Sequence, residues 1–134
     1  MALISKFNTK DIRLLQVLPH LGSGGLVSGA IEIASYLKSK GGVSLVLSSG
    51  GYREKDLNRT NCYLEFLPVD SKNPFIIIKN INKIVGIAKK YRINIIHARS
   101  RAPAWSAYLA SKKLKIPFIT TFHGTYGIEN YLKK

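Results

Sequence analysis

This chain has few acidic residues, a single cysteine, and no long apolar run. Cys62, alone in the sequence, cannot close an internal disulfide and fits a reducing compartment. Its simplest role is that of a small core residue of a strand. The most apolar stretch, Phe75-Ile76-Ile77-Ile78, lies between Asn73 and Lys79 and falls far short of the length that crosses a bilayer. Met1 to Phe7 carries neither the apolar stretch nor the cleavage site of a signal peptide. Together these absences lead to the expectation of a cytoplasmic protein. The three histidines stand apart, without cysteine or carboxylate companions at ligand spacing, so no metal site is expected. No nucleophile elbow or Ser-His-Asp pattern is present either.

The scarcity of acid has a second consequence. Seven Asp and Glu against 21 Lys and Arg leave a net charge of +14. Such a balance favours polyanions: nucleic acid, anionic lipid or phosphorylated substrates. The plainer account is a lysine-rich solvated surface. Lys38, Lys40, Lys79, Lys83, Lys89, Lys90, Arg92, Lys112, Lys113 and Lys115 fall mainly on or after predicted helices, and cations near helix C-termini are locally favourable in any protein. Nucleic acid is the weakest of the three partners, because no aromatic stacking platform or RNA-binding motif accompanies the charge.

What is present is a folded domain. With 134 residues and 46% hydrophobic content, the chain has room for one core and is too apolar to be disordered. Residues 1–10 read as a leader and 11–134 as the domain. Strands are predicted over 13–18, 43–47, 63–67, 93–97 and 117–122. Between the first two, Leu26, Ala30, Ile33 and Leu37 recur at helical spacing until Gly41-Gly42 ends the pattern. A short polar stretch with Arg53, Glu54, Lys55 and Asp56 has helical character. Asn73-Pro74 is a cap followed by proline at the first helical position. Ile77, Ile81, Ile84 and Ala88 then line one face of the helix. A last helix is predicted from a Ser100 cap to about residue 113, with Pro103 in its first turn and Trp105 in the core. Strands alternating with helices give an α/β fold, a doubly wound parallel sheet of order 3-2-1-4-5 with right-handed crossovers. Ligands bind such sheets beyond the carboxyl ends of the strands, where the winding reverses.

Three loops converge on that edge. After strand 1 comes His20-Leu21-Gly22-Ser23-Gly24-Gly25, leading into a helix N-terminus suited to an anion. After strand 4 comes His97-Ala98-Arg99-Ser100-Arg101, whose two guanidiniums can pair with phosphate or carboxylate. After strand 5 comes His123-Gly124-Thr125. Each has a structural alternative. The glycines could form only a tight turn. They make no dinucleotide fingerprint, since Val27 stands where the third glycine belongs, and no P-loop, since Ala30-Ile31 follows Gly29. Arg99 and Arg101 could be solvated. His97, at the end of an apolar strand, reads first as a hydrogen-bonded structural residue. His123, before a glycine, is the best single functional candidate.

These loops resemble the N-terminal domain of family 4 glycosyltransferases, retaining and metal-independent enzymes with two Rossmann-like domains (the GT-B fold). The resemblance covers about residues 12–130. It is carried by the turn at 18–25, by Asp70-Ser71-Lys72-Asn73-Pro74, by the His-Ala-Arg-Ser-Arg-Ala-Pro-Ala-Trp run at 97–105, and by Thr121-Phe122-His123-Gly124-Thr125-Tyr126. It points to a bacterial branch of surface-glycan or lipopolysaccharide assembly. The resemblance implies a nucleotide sugar as donor substrate, a lipid or glycan acceptor, and no cofactor. It sets Gly24 and Gly25 at the donor diphosphate and His123 as the catalytic residue facing the donor sugar. Arg99 and Arg101 would lie by acceptor or donor phosphates, with Gly124 and Thr125 beside them. Two departures stand out. Val27-Ser28 replace the family's frequent Glu-Arg after the glycine pair, and no Glu-x7-Glu pair follows Gly124. The expectation is therefore the acceptor-side half of an enzyme, inactive alone: a fragment, a remnant, or one half of a split enzyme whose second chain carries the donor-binding domain. The same surface could meet the inner membrane peripherally. The rival reading is a non-catalytic basic α/β module held on an anionic membrane or other polyanion.

Overall fold

The structure is a computed structural model that describes residues 8–121. Five strands form one parallel sheet: β1 (Arg13–Val17), β2 (Val43–Ser48), β3 (Tyr63–Phe66), β4 (Ile95–Ala98) and β5 (Phe118–Thr120). Their order is β3-β2-β1-β4-β5, as the alternation of strand and helix predicts. Four helices connect them: α1 (Gly25–Ser39), α2 (Glu54–Asn58), α3 (Pro74–Lys90) and α4 (Arg101–Leu114). A short 3-10 turn, Thr9–Asp11, precedes β1 and is capped by the Asn8 side chain.

The pleat divides the core in two. Leu15, Val17, Leu45, Leu47, Ile96 and Ala98 face α3 and α4, where they meet Ile81, Ile84, Ala88, Ala107 and Ala110. Val46 faces the other way, into a smaller cluster with Val27, Ala30, Ala34 and Leu57 of α1 and α2. Strands β1 and β2 are buried nearly throughout, which explains why they read as continuous apolar runs. Both edge strands are more exposed.

Local signals set most boundaries. Asn73 accepts from the Phe75 amide at 3.0 Å and caps α3, with Pro74 at its first position. β4 starts two residues later than the apolar pattern suggests, because Ile93 and Asn94 are used otherwise. The Ile93 amide donates to the Ala88 carbonyl at the end of α3, and Asn94 donates to the Arg13 carbonyl. Ser100 does stand at the N-cap of α4, but its side chain makes no capping bond; at φ 148° its backbone is outside the extended conformation that capping geometry needs. Trp105 is not in the core: it is 67% exposed on the outer side of α4. Helical spacing from Ala107 and Ala110, the residues that do reach the sheet, turns position 105 outward. Cys62 precedes β3, half-buried against the α1–α2 cluster. Burial pushes its thiol pKa up.

Ile84 is fully buried where α3 meets the sheet. Ile84→Ala is expected to cost about 2–5 kcal/mol, read from urea unfolding midpoints at unchanged m-value. A loss under about 0.5 kcal/mol, the range of surface substitutions, would contradict this packing.

Candidate functional site

The site grows from the carboxyl end of β1. Leu18 and Leu21 are buried, which draws the turn after β1 down onto the sheet. The Leu21 amide donates to the Gly50 carbonyl at 3.0 Å, and the Leu21 carbonyl accepts from the Arg53 amide at 2.9 Å. This fixes the turn against the loop after β2. The approach is close enough that a Cβ on Gly51 would collide with the Leu21 carbonyl group and lie 2.9 Å from its Cα. The turn then presents Ser23, Gly24 and Gly25 to solvent. Gly24 is the N-cap of α1 at φ 122°, a conformation that favours glycine.

The start of α1 carries no side-chain cap and no acidic residue in its first turn. Its positive end is uncompensated by its own residues, the ordinary condition of an anion site. Open space surrounds Gly24 and Gly25. Nearby, Arg53 donates to Ser28 Oγ at 2.8 Å and is paired with Asp56 at 3.1 Å, so part of its charge is already engaged.

Arg99 adds the second component. It follows β4, whose register places Gln16 opposite His97 and Val17 opposite Ala98. Its amide donates to the Val17 carbonyl at 2.9 Å, which locks it beside the end of β1. The side chain takes the α1 face. Its Nε donates to Gln16 Oε1 at 2.8 Å, and Gln16 Nε2 donates in turn to the Ala30 carbonyl at 3.1 Å. Gly29 supplies the room: a Cβ there would come within 3.1 Å of Arg99 Nη1. Arg99 is thus 5% exposed with a neutral amide as its Nε partner. Among the described residues no carboxylate lies within ion-pair distance of it. Burial holds its pKa below the usual guanidinium range. A buried cation without a counter-ion is costly, and an anion bound at the start of α1 would offset that cost.

The turn at Ser100 into α4 separates the two arginines. Arg101 is exposed at the start of α4 and lines, with Trp105, Tyr108, Phe118 and Thr120, a cavity of about 340 Å³ on the opposite side of the sheet. Gly24 and Gly25 at the start of α1, and Arg99 against Gly29 one turn further along, therefore share the α1 side of the sheet, and Arg101 does not join them. His97 is buried and its Nε2 lies 3.1 Å from Thr121 Oγ1, which fits the structural role. His123, Gly124 and Thr125 lie outside the described residues. Gln16 and Gly29 were not legible as site residues. Their signals were a lone amide in an apolar strand, and a glycine kept inside a helix at a cost of about 1 kcal/mol.

The chain matches the model of glycosyltransferase family 4 over residues 23–134. It belongs to that family. A glycosyltransferase from Rickettsia africae ESF-5 is 41% identical, with a TM-score of 0.77 over 87% of this chain and 31% of its own. MurG from Acinetobacter baumannii is similar in fold at 18% identity, with a TM-score of 0.66 over 87% of this chain and 38% of its own. The UDP-GlcNAc 2-epimerase from Neisseria meningitidis, solved with UDP-GlcNAc bound, shares the fold at 20% identity and a TM-score of 0.56, over 89% of this chain and 34% of its own. No curated protein sequence matches. The chain spans about a third of the length of the solved relatives.

Two expectations follow from this geometry. Pyrophosphate should raise the melting temperature of the native chain through preferential binding to the folded state, and should raise that of Arg99→Met much less. An equal rise in both would exclude Arg99 from anion binding. Gly51→Ala should lose about 1–3 kcal/mol through overpacking against Leu21; a neutral effect in thermal unfolding would show that the turn is not clamped there.

Proposed function

We propose that these residues form the acceptor-side half of a retaining, sugar-nucleotide-dependent glycosyltransferase of bacterial surface-glycan assembly, of lipopolysaccharide type. The observation that carries this reading is the buried Arg99 against Gly29, one turn from the uncapped start of α1. Both lie at the carboxyl ends of β1 and β4, the neighbours between which the winding reverses. Family membership favours it over a non-catalytic basic module.

In this reading the amides around Gly24 and Gly25, together with Arg99, stabilise negative charge on the donor diphosphate as the sugar leaves. Gln16 aims the Arg99 side chain, and Gly29 lets it lie close under α1. His123, with Gly124 and Thr125, faces the donor sugar. Arg101, on the far face, is assigned to the acceptor. The nucleotide sugar is a substrate and no cofactor is invoked. The paired glutamates that hold the donor belong, by the family resemblance, to a second domain outside these residues. The protein works in the cytoplasm, peripherally at the inner membrane, on a lipid or glycan acceptor.

The 134-residue chain alone is expected to give no transfer from labelled nucleotide sugars, because proximity and charge stabilisation at the anomeric carbon need both domains. Transfer should appear when a domain carrying the paired glutamates is supplied, and His123→Ala should then abolish it while the melting temperature stays unchanged. Turnover by the 134-residue chain above a no-protein control would overturn the proposal. So would a His123→Ala protein that unfolds while its folded fraction keeps full activity.

A further inference from the structure

Charge is divided between the two layers of helices. Helices α1 and α2 carry Glu32, Glu54 and Asp56. From residue 71 to 128 there is no acidic residue at all, so α3, α4 and β5 have none. The cavity that Arg101 lines lies inside this acid-free part, between α4 and the edge strand β5. Its wall is graded. Helix α4 runs back from the carboxyl edge of the sheet, so Arg101 at its start and Thr120 at the end of β5 stand at the rim. Trp105 follows one turn along α4, and Tyr108 with Phe118 lies below it.

The aromatic groups have different roles in this wall. The Tyr108 and Phe118 ring centres are 5.5 Å apart with their planes at 64°, and Lys112 Nζ lies 5.5 Å from the centre of the Tyr108 ring. These contacts hold Tyr108 in place. Trp105, 67% exposed, stands at the mouth of the cavity of about 340 Å³. An exposed indole suits a ligand with one apolar face and a polar rim. A pyranose ring has that form: its C–H face stacks while its hydroxyls stay in water. An alkyl chain gains from enclosure on every side, which a wall open at Trp105 does not provide. Arg101 adds a planar cation that matches a carboxylate, and Thr120 adds a hydroxyl. Aromatic walls with a few placed polar groups are the usual composition of a small-molecule site.

We propose that this cavity holds an acidic sugar residue of the acceptor, its ring stacked on Trp105 and its carboxylate paired with Arg101. The inference rests on the transferase reading and narrows it: the acceptor is an acidic oligosaccharide rather than a lipid chain or a neutral glycan. The acid-free helices and strand around the cavity let such an anion approach without repulsion. The residue held here is an anchor and not the one that reacts. Strand β5 lies two positions from β1 in the sheet, on the order of 10 Å, and the cavity is on the side away from Gly29 and Arg99. A sugar further along the same acceptor crosses the rim to the donor.

Trp105 is the only tryptophan in the chain, so its emission reports on this cavity. The full 134-residue chain is titrated with trigalacturonate, with maltotriose as a neutral trisaccharide and with octyl phosphate as an amphiphile, at matched ionic strength. The expected result is a saturable change of Trp105 emission with trigalacturonate. Maltotriose should bind at least roughly tenfold more weakly, and Arg101→Gln should lower trigalacturonate affinity to the maltotriose level, as loss of a charged hydrogen bond does. Trp105→Ala, followed by calorimetric titration, should abolish binding at an unchanged melting temperature, since the side chain is exposed, and Trp105→Phe should retain most of it. Absence of trigalacturonate binding overturns the proposal, as does equal binding of the two trisaccharides or binding that leaves Trp105 emission unchanged. Tighter binding of octyl phosphate than of trigalacturonate also overturns it and assigns the cavity to a lipid. No sugar donor is present, so failure here leaves the transferase reading standing, and failure of transfer leaves this binding measurable.

Discussion

The burial of β1 on both faces is the constraint on which the rest of the structure rests. Leu15 and Val17 point into the larger core, while Leu14 and Gln16 point beneath α1, and all four are buried. A strand so placed must have neighbours on both sides, and β2 and β4 provide them in parallel register. Parallel neighbours need helical crossovers, and the fixed hand of those crossovers sends α1 to one face and α3 to the other. The crevice at the end of β1 is the outcome. It exists because the helices that follow the neighbouring strands β1 and β4 leave the sheet on opposite faces there, before any functional residue is considered.

Gln16 shows how this constraint becomes chemistry. A polar amide in a central strand has to find partners within the protein, because water cannot reach it. It finds the Ala30 carbonyl on one side and the Arg99 guanidinium on the other. The amide thus ties β1, α1 and the loop after β4 into one unit, and Gly29 leaves space for the cation that results. The positive charge of Arg99 is held against Gly29, one turn from the helix start that already favours anions. Two weak electrostatic preferences, each ordinary alone, lie a turn apart on the same helix.

The division of charge has a different origin. The α1–α2 layer balances its few cations with acids, as in the Arg53–Asp56 pair. The α3–α4 layer has no acid of its own, and among its lysines Lys90 reaches Glu65 of β3 at 3.6 Å while Lys113 donates to Asn82. Its interior is ordinary, with Ile81, Ile84, Ala107 and Ala110 closing the larger core. Its exterior is not, since aromatic and aliphatic side chains are left in water beside those lysines. The two sides of the sheet are therefore suited to different surroundings, although the backbone architecture is the same on both.

Much of the fold was legible in the residues. Continuous apolar runs marked strands buried on both faces, the 3.6-residue spacing of Ile77, Ile81, Ile84 and Ala88 marked α3, and Asn73-Pro74 marked its start. These signals are local, and the alternation of strand and helix then limits the topology to very few choices. The loops at 20–25 and 97–101 were legible as a pair for the same reason. What the sequence alone could not decide was which way side chains turn. Arg99 and Arg101 look equivalent in the chain, yet one residue between them and the start of α4 send them to opposite faces. Trp105 has the composition of a core residue, and only the angular position set by Ala107 and Ala110 turns it to solvent. Gln16 and Gly29 have no motif; they matter because the parallel register sets β4 beside β1 and brings Arg99 under α1. Periodicity is encoded in neighbours along the chain, whereas facing and pairing depend on residues more than eighty positions apart, as Gln16 and Arg99 are.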